Sequence, residues 1–112
     1  MDITVQEENG VHIVRVSGRL IIGSPSDKLN AALEKLEAAG SLKILVNLDD
    51  VEQIDSSGLA TLVRHMSLLR RDSGALRLVC GEGRVREALT ITRLLEAIPT
   101  YGTEPAALAA FS

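Results

Sequence analysis

The sequence predicts an α/β domain, built on a mixed sheet of four or five strands with helices packed mainly on one face. The chain opens with two alternating apolar segments on either side of Asn9-Gly10, a strong hairpin signal. Apolar strand patterns then alternate with helical patterns, as in parallel crossover units. The 112 residues, 46% of them hydrophobic, are enough for one core. We therefore expect a single domain over residues 1–112.

The first elements follow from local signals. Alternating residues after Asp2 predict a strand up to the turn, and Val11–Ser17 predicts its antiparallel partner. Gly18–Gly23 is predicted as a connector. Ser24 is a candidate N-cap, followed by Pro25, which suits the first position of a helix. Apolar residues at helical spacing continue to Gly40, which predicts the end of this helix.

The middle of the chain predicts a strand, a loop and a second helix. Leu42–Leu48 is almost entirely apolar, which is typical of a central strand. Asp49–Asp55 is predicted as a loop. A helix then begins near Ser56 and ends near Ser73, because its apolar residues form one stripe.

The last third predicts further elements of the same kind. Ala75–Cys80 is apolar enough for a strand, and Arg84–Ile98 predicts a third helix whose apolar stripe is most simply core. A short strand is expected at Thr100–Gly102. Pro105–Phe111 predicts a terminal helix.

Composition excludes several classes of function. The net charge is −3 and the aromatic residues are Tyr101 and Phe111 alone, which argues against nucleic-acid binding. The absence of a signal-like N-terminus and of an apolar run of about 20 residues predicts a cytoplasmic protein without a membrane partner. Cys80, the single cysteine, predicts a small buried residue in a reduced protein. Gly81-Glu82-Gly83 does not match a nucleotide-binding loop, and we expect no cofactor and no metal.

The candidate functional segment is Asp55-Ser56-Ser57-Gly58, at the end of a predicted strand and the start of a helix. In open α/β sheets, sites commonly lie at this end of the strands. A phosphate on Ser56 would lie beside backbone N–H groups and the positive end of the helix dipole, and would add negative charge next to Asp55. Gly58 would allow a partner's backbone to approach closely. The same residues are also common helix starts that need no function.

The segment and its surroundings resemble the STAS domain found in bacterial anti-sigma factor antagonists. The resemblance lies in Val46-Asn47-Leu48-Asp49, Val51 and Ile54-Asp55-Ser56-Ser57-Gly58-Leu59. It extends to the opening hairpin, to Gly18-x-Leu20, and to the strand and helix after the site. The resemblance therefore spans essentially the whole chain.

This resemblance implies a binding protein that is not an enzyme. The unphosphorylated family member binds an anti-sigma factor that is also a serine kinase, and this releases the sigma factor. The kinase phosphorylates the serine after the aspartate, which is Ser56 here, and a PP2C-type phosphatase removes the phosphate. Asp55, Ser57, Gly58 and Asn47 match neighbouring motif residues, which implies a role in partner binding.

Two alternatives remain open. Switchable family members usually carry Asp directly after Gly-x-Leu, whereas this chain has Ile21. Ile21 favours a STAS domain that is not phosphorylated and acts as a scaffold or ligand-sensing module. A receiver-like phosphoaspartate protein is suggested by the acids among residues 49–55, but a solvated acidic loop explains them better. A serine hydrolase is disfavoured because His65 would lie about 13 Å along the helix from Ser56 at about 1.5 Å per residue.

Overall fold

The computed structural model describes residues 1–111 and shows one five-stranded mixed sheet, which confirms the predicted fold class. The strands lie in chain order, β1-β2-β3-β4-β5; β1 is antiparallel to β2, and the other neighbours are parallel. The strands are β1 (Asp2–Glu8), β2 (Val11–Leu20), β3 (Lys43–Ile54), β4 (Ala75–Val79) and β5 (Thr100–Tyr101). The helices are α1 (Ser24–Ala38), α2 (Ser56–Arg71), α3 (Arg84–Ile91), α4 (Leu94–Ala97) and α5 (Glu104–Ala109).

The two faces of the sheet carry unequal layers. Alternate strand residues such as Val14 and Val46 pack against α1, α2 and α3 in the larger apolar cluster. The residues between them, such as Ile13 and Leu45, pack against Ala107 of α5 on the other face. This alternation is the period-two pattern of strand side chains, and it explains why the helices lie mainly on one face.

The opening hairpin forms as predicted. Asn9 and Gly10 have φ values of 52° and 81°, and Glu8 lies opposite Val11 across the two-residue turn. Positive φ at both turn residues is the geometry that matches the twist of the flanking strands. The Asn-Gly pair therefore fixes the register of β1 on β2.

Two predicted loops are wrong because strands extend through them. The chain forms strand up to Leu20, and β3 continues to Ile54, so residues 49–54 are not a loop. The extensions pair with each other, from Ser17 opposite Asp50 to Leu20 opposite Ile54, with one register shift just before this stretch and one within it, between Gly18 and Arg19. The backbone hydrogen bonds of these extensions come from parallel pairing between two segments that are distant in sequence. The acidic residues of the segment 49–54 give no sign of this pairing, so the segment was predicted as a loop.

The start of α1 also differs from the prediction. Gly23, at φ 94°, is the N-cap, and Ser24 is the first helical residue without a capping side-chain bond. A positive φ favours glycine, so the chain turns at Gly23 one residue before the predicted cap. Gly40, at φ 88°, follows the end of the helix as expected.

The predicted third helix is divided into α3 and α4. Arg93 between them has φ 62°, which interrupts the helical path. Val85 and Leu89 form the buried face of α3, whereas Ile91 is 81% exposed, so the predicted core stripe through Ile91 is wrong. No glycine or proline marks this break in the sequence. Across residues 1–111, none of the helices has the length and apolar character required for a membrane span.

Candidate functional site

Asp55 caps helix α2. Its backbone is extended (φ −114°, ψ −175°), and its Oδ1 accepts hydrogen bonds from the backbone N–H groups of Ser57 at 3.0 Å and Gly58 at 3.2 Å. This is the standard way to satisfy the N–H groups that have no partner in the first helical turn. The helix therefore begins at Ser56, as the sequence predicts.

The other oxygen of Asp55 holds the β2–α1 loop. Oδ2 accepts a hydrogen bond from the backbone N–H of Ile22 at 2.9 Å. The backbone N–H of Asp55 donates to the carbonyl oxygen of Leu20 at 3.2 Å. One carboxylate thus joins the start of α2 to the loop that leads into α1.

These donors stabilise the ionised carboxylate. The hydroxyl of Ser57 donates to Oδ1 at 2.7 Å, and together with the backbone N–H of Ile22 it holds the pKa of Asp55 below its usual value. Hydrogen bonds to the charged form favour that form. Asp55 is therefore a carboxylate that stays ionised at neutral pH.

Ser57 extends the same cluster to α1. Its Oγ lies 2.9 Å from the Oγ of Ser26, which is buried and also donates to the carbonyl oxygen of Ile21 at 2.8 Å. Ser57 is therefore bonded within the domain rather than presented to a partner. No sequence pattern marks Ser26 as part of this cluster, because its role depends on a contact with a residue 31 positions away.

Gly58 is buried against its own chain. A Cβ atom there would lie 2.8 Å from both the Cγ and the carbonyl oxygen of Leu20. The close approach that requires glycine is therefore an internal one, and the space expected for a partner's backbone is occupied by Leu20. Gly58 allows the first turn of α2 to pack on the end of β2.

Ser56 differs from its neighbours because it is exposed. Within residues 1–111 its side chain makes no hydrogen bond, so its hydroxyl is available to an enzyme. The backbone N–H groups of Ser57 and Gly58, which belong to the helix start where a phosphate on Ser56 was expected to lie, are already bonded to Asp55. A phosphate on Ser56 would therefore compete with the Asp55 carboxylate for the same donors.

The loop beside Ser56 presents an apolar side chain. Ile22 is 77% exposed, and its backbone is fixed by Asp55. Ile21, the residue where the family resemblance leads one to expect Asp, is only partly exposed. The exposed Ile22 thus lies in a loop whose backbone is bonded to the residue that precedes Ser56. The pair Ile21-Ile22 in the predicted connector was the sequence signal for an apolar side chain there.

Asn47 lies in a different cluster. Its Nδ2 donates to Oε2 of Glu104 at 2.6 Å, and its Oδ1 accepts from the backbone N–H of Asp49 at 2.9 Å. Arg15 donates to both oxygens of Glu104 at 2.8 Å, and this ion pair holds the pKa of Glu104 below its usual value. The side chain of Asn47 therefore faces α5, and the structure does not bring it together with the Asp55 cluster.

The remaining candidates have structural partners. Asp49 Oδ1 accepts from the backbone N–H of Gly81 at 2.7 Å, and residues 1–111 contain no group of three or more His, Cys, Asp or Glu side chains arranged to bind a metal. His65 is fully buried, with Nδ1 2.6 Å from Oε2 of Glu37 and Nε2 2.7 Å from Oδ1 of Asn30. His65 therefore joins α1 to α2, away from Ser56.

Comparisons with known proteins agree with this fold. The family model for the STAS domain matches residues 2–107. BtrV of Bordetella bronchiseptica, described as a candidate anti-sigma factor antagonist, is 27% identical over 111 residues, which cover 99% of this chain and 95% of BtrV.

Two solved structures are also similar. An anti-sigma factor antagonist from Mycobacterium paratuberculosis has a TM-score of 0.86 at 27% identity, covering 97% of this chain and 92% of that one. A candidate anti-sigma factor antagonist from Thermotoga maritima has a TM-score of 0.89 at 24% identity, covering 96% and 92%. Because the family model covers nearly the whole chain, the chain belongs to the STAS domain family.

Proposed function

We propose that this chain is an anti-sigma factor antagonist whose binding to an anti-sigma factor is controlled by phosphorylation of Ser56. The observation that carries the proposal is the exposed hydroxyl of Ser56 at the start of α2, which makes no hydrogen bond among residues 1–111. The relatives named as anti-sigma factor antagonists support the class of partner. The partner kinase adds the phosphate and a PP2C-type phosphatase removes it, so the chain itself catalyses no reaction.

The neighbouring residues act mainly by positioning Ser56. Asp55 and Ser57 fix the first turn of α2, and Gly58 lets that turn lie against β2. Ile22 provides apolar area for the partner, since it is exposed and held by Asp55. Phosphorylation adds about −1.5 to −2 charge beside Ile22 and Asp55. Such charge opposes burial of the isoleucine in an interface, which weakens binding.

Binding to a purified anti-sigma factor with serine kinase activity tests this proposal. We expect Ser56→Asp to weaken binding by about tenfold or more, and Ser56→Ala to bind like the unphosphorylated protein but to resist phosphorylation. Ser67→Asp is the matched control, because Ser67 is also exposed on α2 but lies far from its start. Isothermal titration calorimetry measures the affinity, and mass spectrometry of fragments locates the phosphate.

Two results would reject the proposal. One is a phosphate mapped to a residue other than Ser56. The other is equal affinity of Ser56→Asp, Ser67→Asp and the unmodified chain for the anti-sigma factor.

A second function is favoured by one feature, the isoleucine at residue 21. A STAS domain that works as a scaffold or ligand-sensing module without phosphorylation does not need an acidic residue there. In that case the intact mass of the protein from growing and from stressed cells stays unmodified, and Ile22 contributes to a permanent contact. A phosphate that changes between the two conditions would exclude this alternative.

A further inference from the structure

We propose that the edge strand β1, together with the groove between β1 and α1, binds an extended segment of a partner protein that carries apolar side chains and carboxylates. This surface shares no residue with the Ser56 cluster. The inference therefore stands whether or not Ser56 is phosphorylated.

Strand β1 has a free edge. It pairs with β2 in continuous register from Asp2 opposite Ser17 to Glu8 opposite Val11, and it is the first strand of the sheet described by residues 1–111. Proteins usually protect such edges with a bulge, a proline or a lysine. The central residues, Ile3 to Gln6, include none of these. The outward N–H and C=O groups of β1 are thus available to a further strand.

An apolar groove lies beside this edge. Ile3 and Val5 form one wall on the face of β1 that points towards the helices, and Ala32, Leu36 and Ala39 form the other wall. The groove has a volume of about 390 Å³, and Val5 is 47% exposed. A strand added to β1 would direct alternate side chains into this groove, which provides specificity in addition to main-chain hydrogen bonds.

The charges along α1 are segregated between its two sides. Lys28 and Lys35 lie at the groove. Glu34 and Glu37 lie on the other side, where Glu34 pairs with Arg64 of α2 at 2.8 Å and Glu37 contacts His65. Two of the chain's three lysines therefore flank the groove, although the chain carries a net charge of −3. Carboxylates on the bound segment complement these lysines.

Other occupants fit less well. Antiparallel pairing of two copies centred on Val5 would place Asp2 opposite Glu8 of the second copy, and like charges opposite each other destabilise a sheet. An anionic membrane would gain about 1 kcal/mol from each of two lysines, but it would leave the outward N–H and C=O groups of β1 without a strand to pair with. A concave, lysine-flanked groove beside a free strand edge therefore favours a protein segment.

Titration of the ¹⁵N-labelled full chain with a synthetic peptide tests the proposal. The probe has about ten residues, in which one face of the strand carries valine and glutamate and the other face carries threonine, so that both the apolar side chains and the carboxylates face the groove. We expect chemical-shift changes concentrated in β1 and in the groove side of α1. Lys35→Glu should weaken binding by about fivefold or more, whereas Lys43→Glu should change it by less than about twofold, because Lys43 lies outside the groove.

A second pair of variants separates the groove from the edge. Val5→Glu introduces a negative charge into the groove, where it repels the carboxylates of the peptide, and should abolish binding, whereas Thr4→Glu places the same side chain on the opposite face of β1 and should weaken binding much less. The amide spectrum of each variant shows whether the chain remains folded. Equal effects of the two substitutions would contradict the role of the groove.

Several results would overturn the proposal. They are the absence of peptide binding, equal binding of a peptide in which lysine replaces glutamate, and equal affinities of Lys35→Glu and Lys43→Glu. Shift changes of β1 with phosphatidylserine vesicles but not with the peptide would indicate a membrane surface. A dimer seen by sedimentation and lost in Val5→Glu would indicate a second copy of the chain.

Discussion

Two carboxylates organise two polar clusters, and they are held by different chemistry. Asp55 is bonded to backbone N–H groups and to the hydroxyl of Ser57, and among residues 1–111 no cation pairs with it. Glu104 is bonded to both donor groups of Arg15 and to Asn47. The charge of Glu104 is therefore neutralised within the domain. The charge of Asp55 is stabilised but not neutralised, so it would still repel a second negative charge placed nearby.

The largest expected effect is that of Asp55→Ala. This change removes the cap of α2 and the tether to the β2–α1 loop together, and we expect it to lower the free energy of unfolding by about 2 kcal/mol at pH 7. Urea denaturation followed by circular dichroism measures it. Asp27→Ala is the control, because Asp27 is an exposed acid in the first turn of α1 whose side chain makes no hydrogen bond in the part of the chain that the structure describes.

The same variant should show a defined pH dependence. The pKa of Asp55 is lowered in the folded protein, so its ionised form stabilises the fold at pH values above its ordinary pKa of about 4. This contribution is lost as the pH falls through the lower folded pKa. The difference in unfolding free energy between the original chain and Asp55→Ala should therefore shrink below about pH 4. A difference that grows on acidification would contradict this account.

A smaller effect is expected for Glu104→Gln. The substitution removes the charge that pairs with Arg15, at a site where both side chains are partly exposed, and should cost about 1 kcal/mol. Because the Debye length falls from about 10 Å to about 3 Å between about 0.1 M and 1 M salt, the cost should shrink at high salt. The cost of Asp55→Ala should change little, since its partners are neutral.

Unfolding of both variants at the two salt concentrations measures this contrast. Glu96→Gln is the matched control for Glu104→Gln, because Glu96 is exposed on α4 and makes no side-chain ion pair within residues 1–111. The same salt dependence for the Asp55 and Glu104 variants would show that the two clusters do not differ in the way described.

The smallest effect separates two adjacent serines. Ser57→Ala loses the hydrogen bond that the hydroxyl donates to Asp55 and the contact of its Oγ with Ser26, and should lower the free energy of unfolding by about 0.5 to 1 kcal/mol. Ser56→Ala removes an exposed hydroxyl without a partner and should stay within about 0.5 kcal/mol of the original chain. A more destabilising Ser56→Ala would mean that Ser56 has a structural role.

Structural features that depend on only a few neighbouring residues could be predicted from the sequence. Asn9-Gly10 predicts its hairpin because both residues adopt positive φ at low cost. Asp55 and Ser56 predict the start of α2, because a capping side chain acts on residues two and three positions later. The part of the site that depends on local geometry was therefore predictable.

Features that depend on partners distant in the sequence could not be predicted from the sequence. The strand through Asp49 and Asp50 exists because β2 lies beside it, and its acidic residues resemble those of a loop. Arg15 and Glu104 are 89 residues apart, and neither lies in a recognisable motif. Asn47 was grouped with Ser56 by its place in a motif, whereas the alternation of β3 turns its side chain towards Glu104. In all three cases the structure depends on a contact between residues that are far apart in the sequence.

The hydrogen bond from the backbone of Ile22 to Asp55 also bears on how fast the loop can respond to a change at the start of α2. The first turn of α2 and the loop at Ile22 are linked through a single side chain, so a change at this turn needs only a local exchange of hydrogen bonds to reach the loop. Rotamer and loop motions of this kind take on the order of nanoseconds to microseconds. Under the proposed function, the duration of a signal would therefore be set by the enzymes that add and remove the phosphate rather than by the fold.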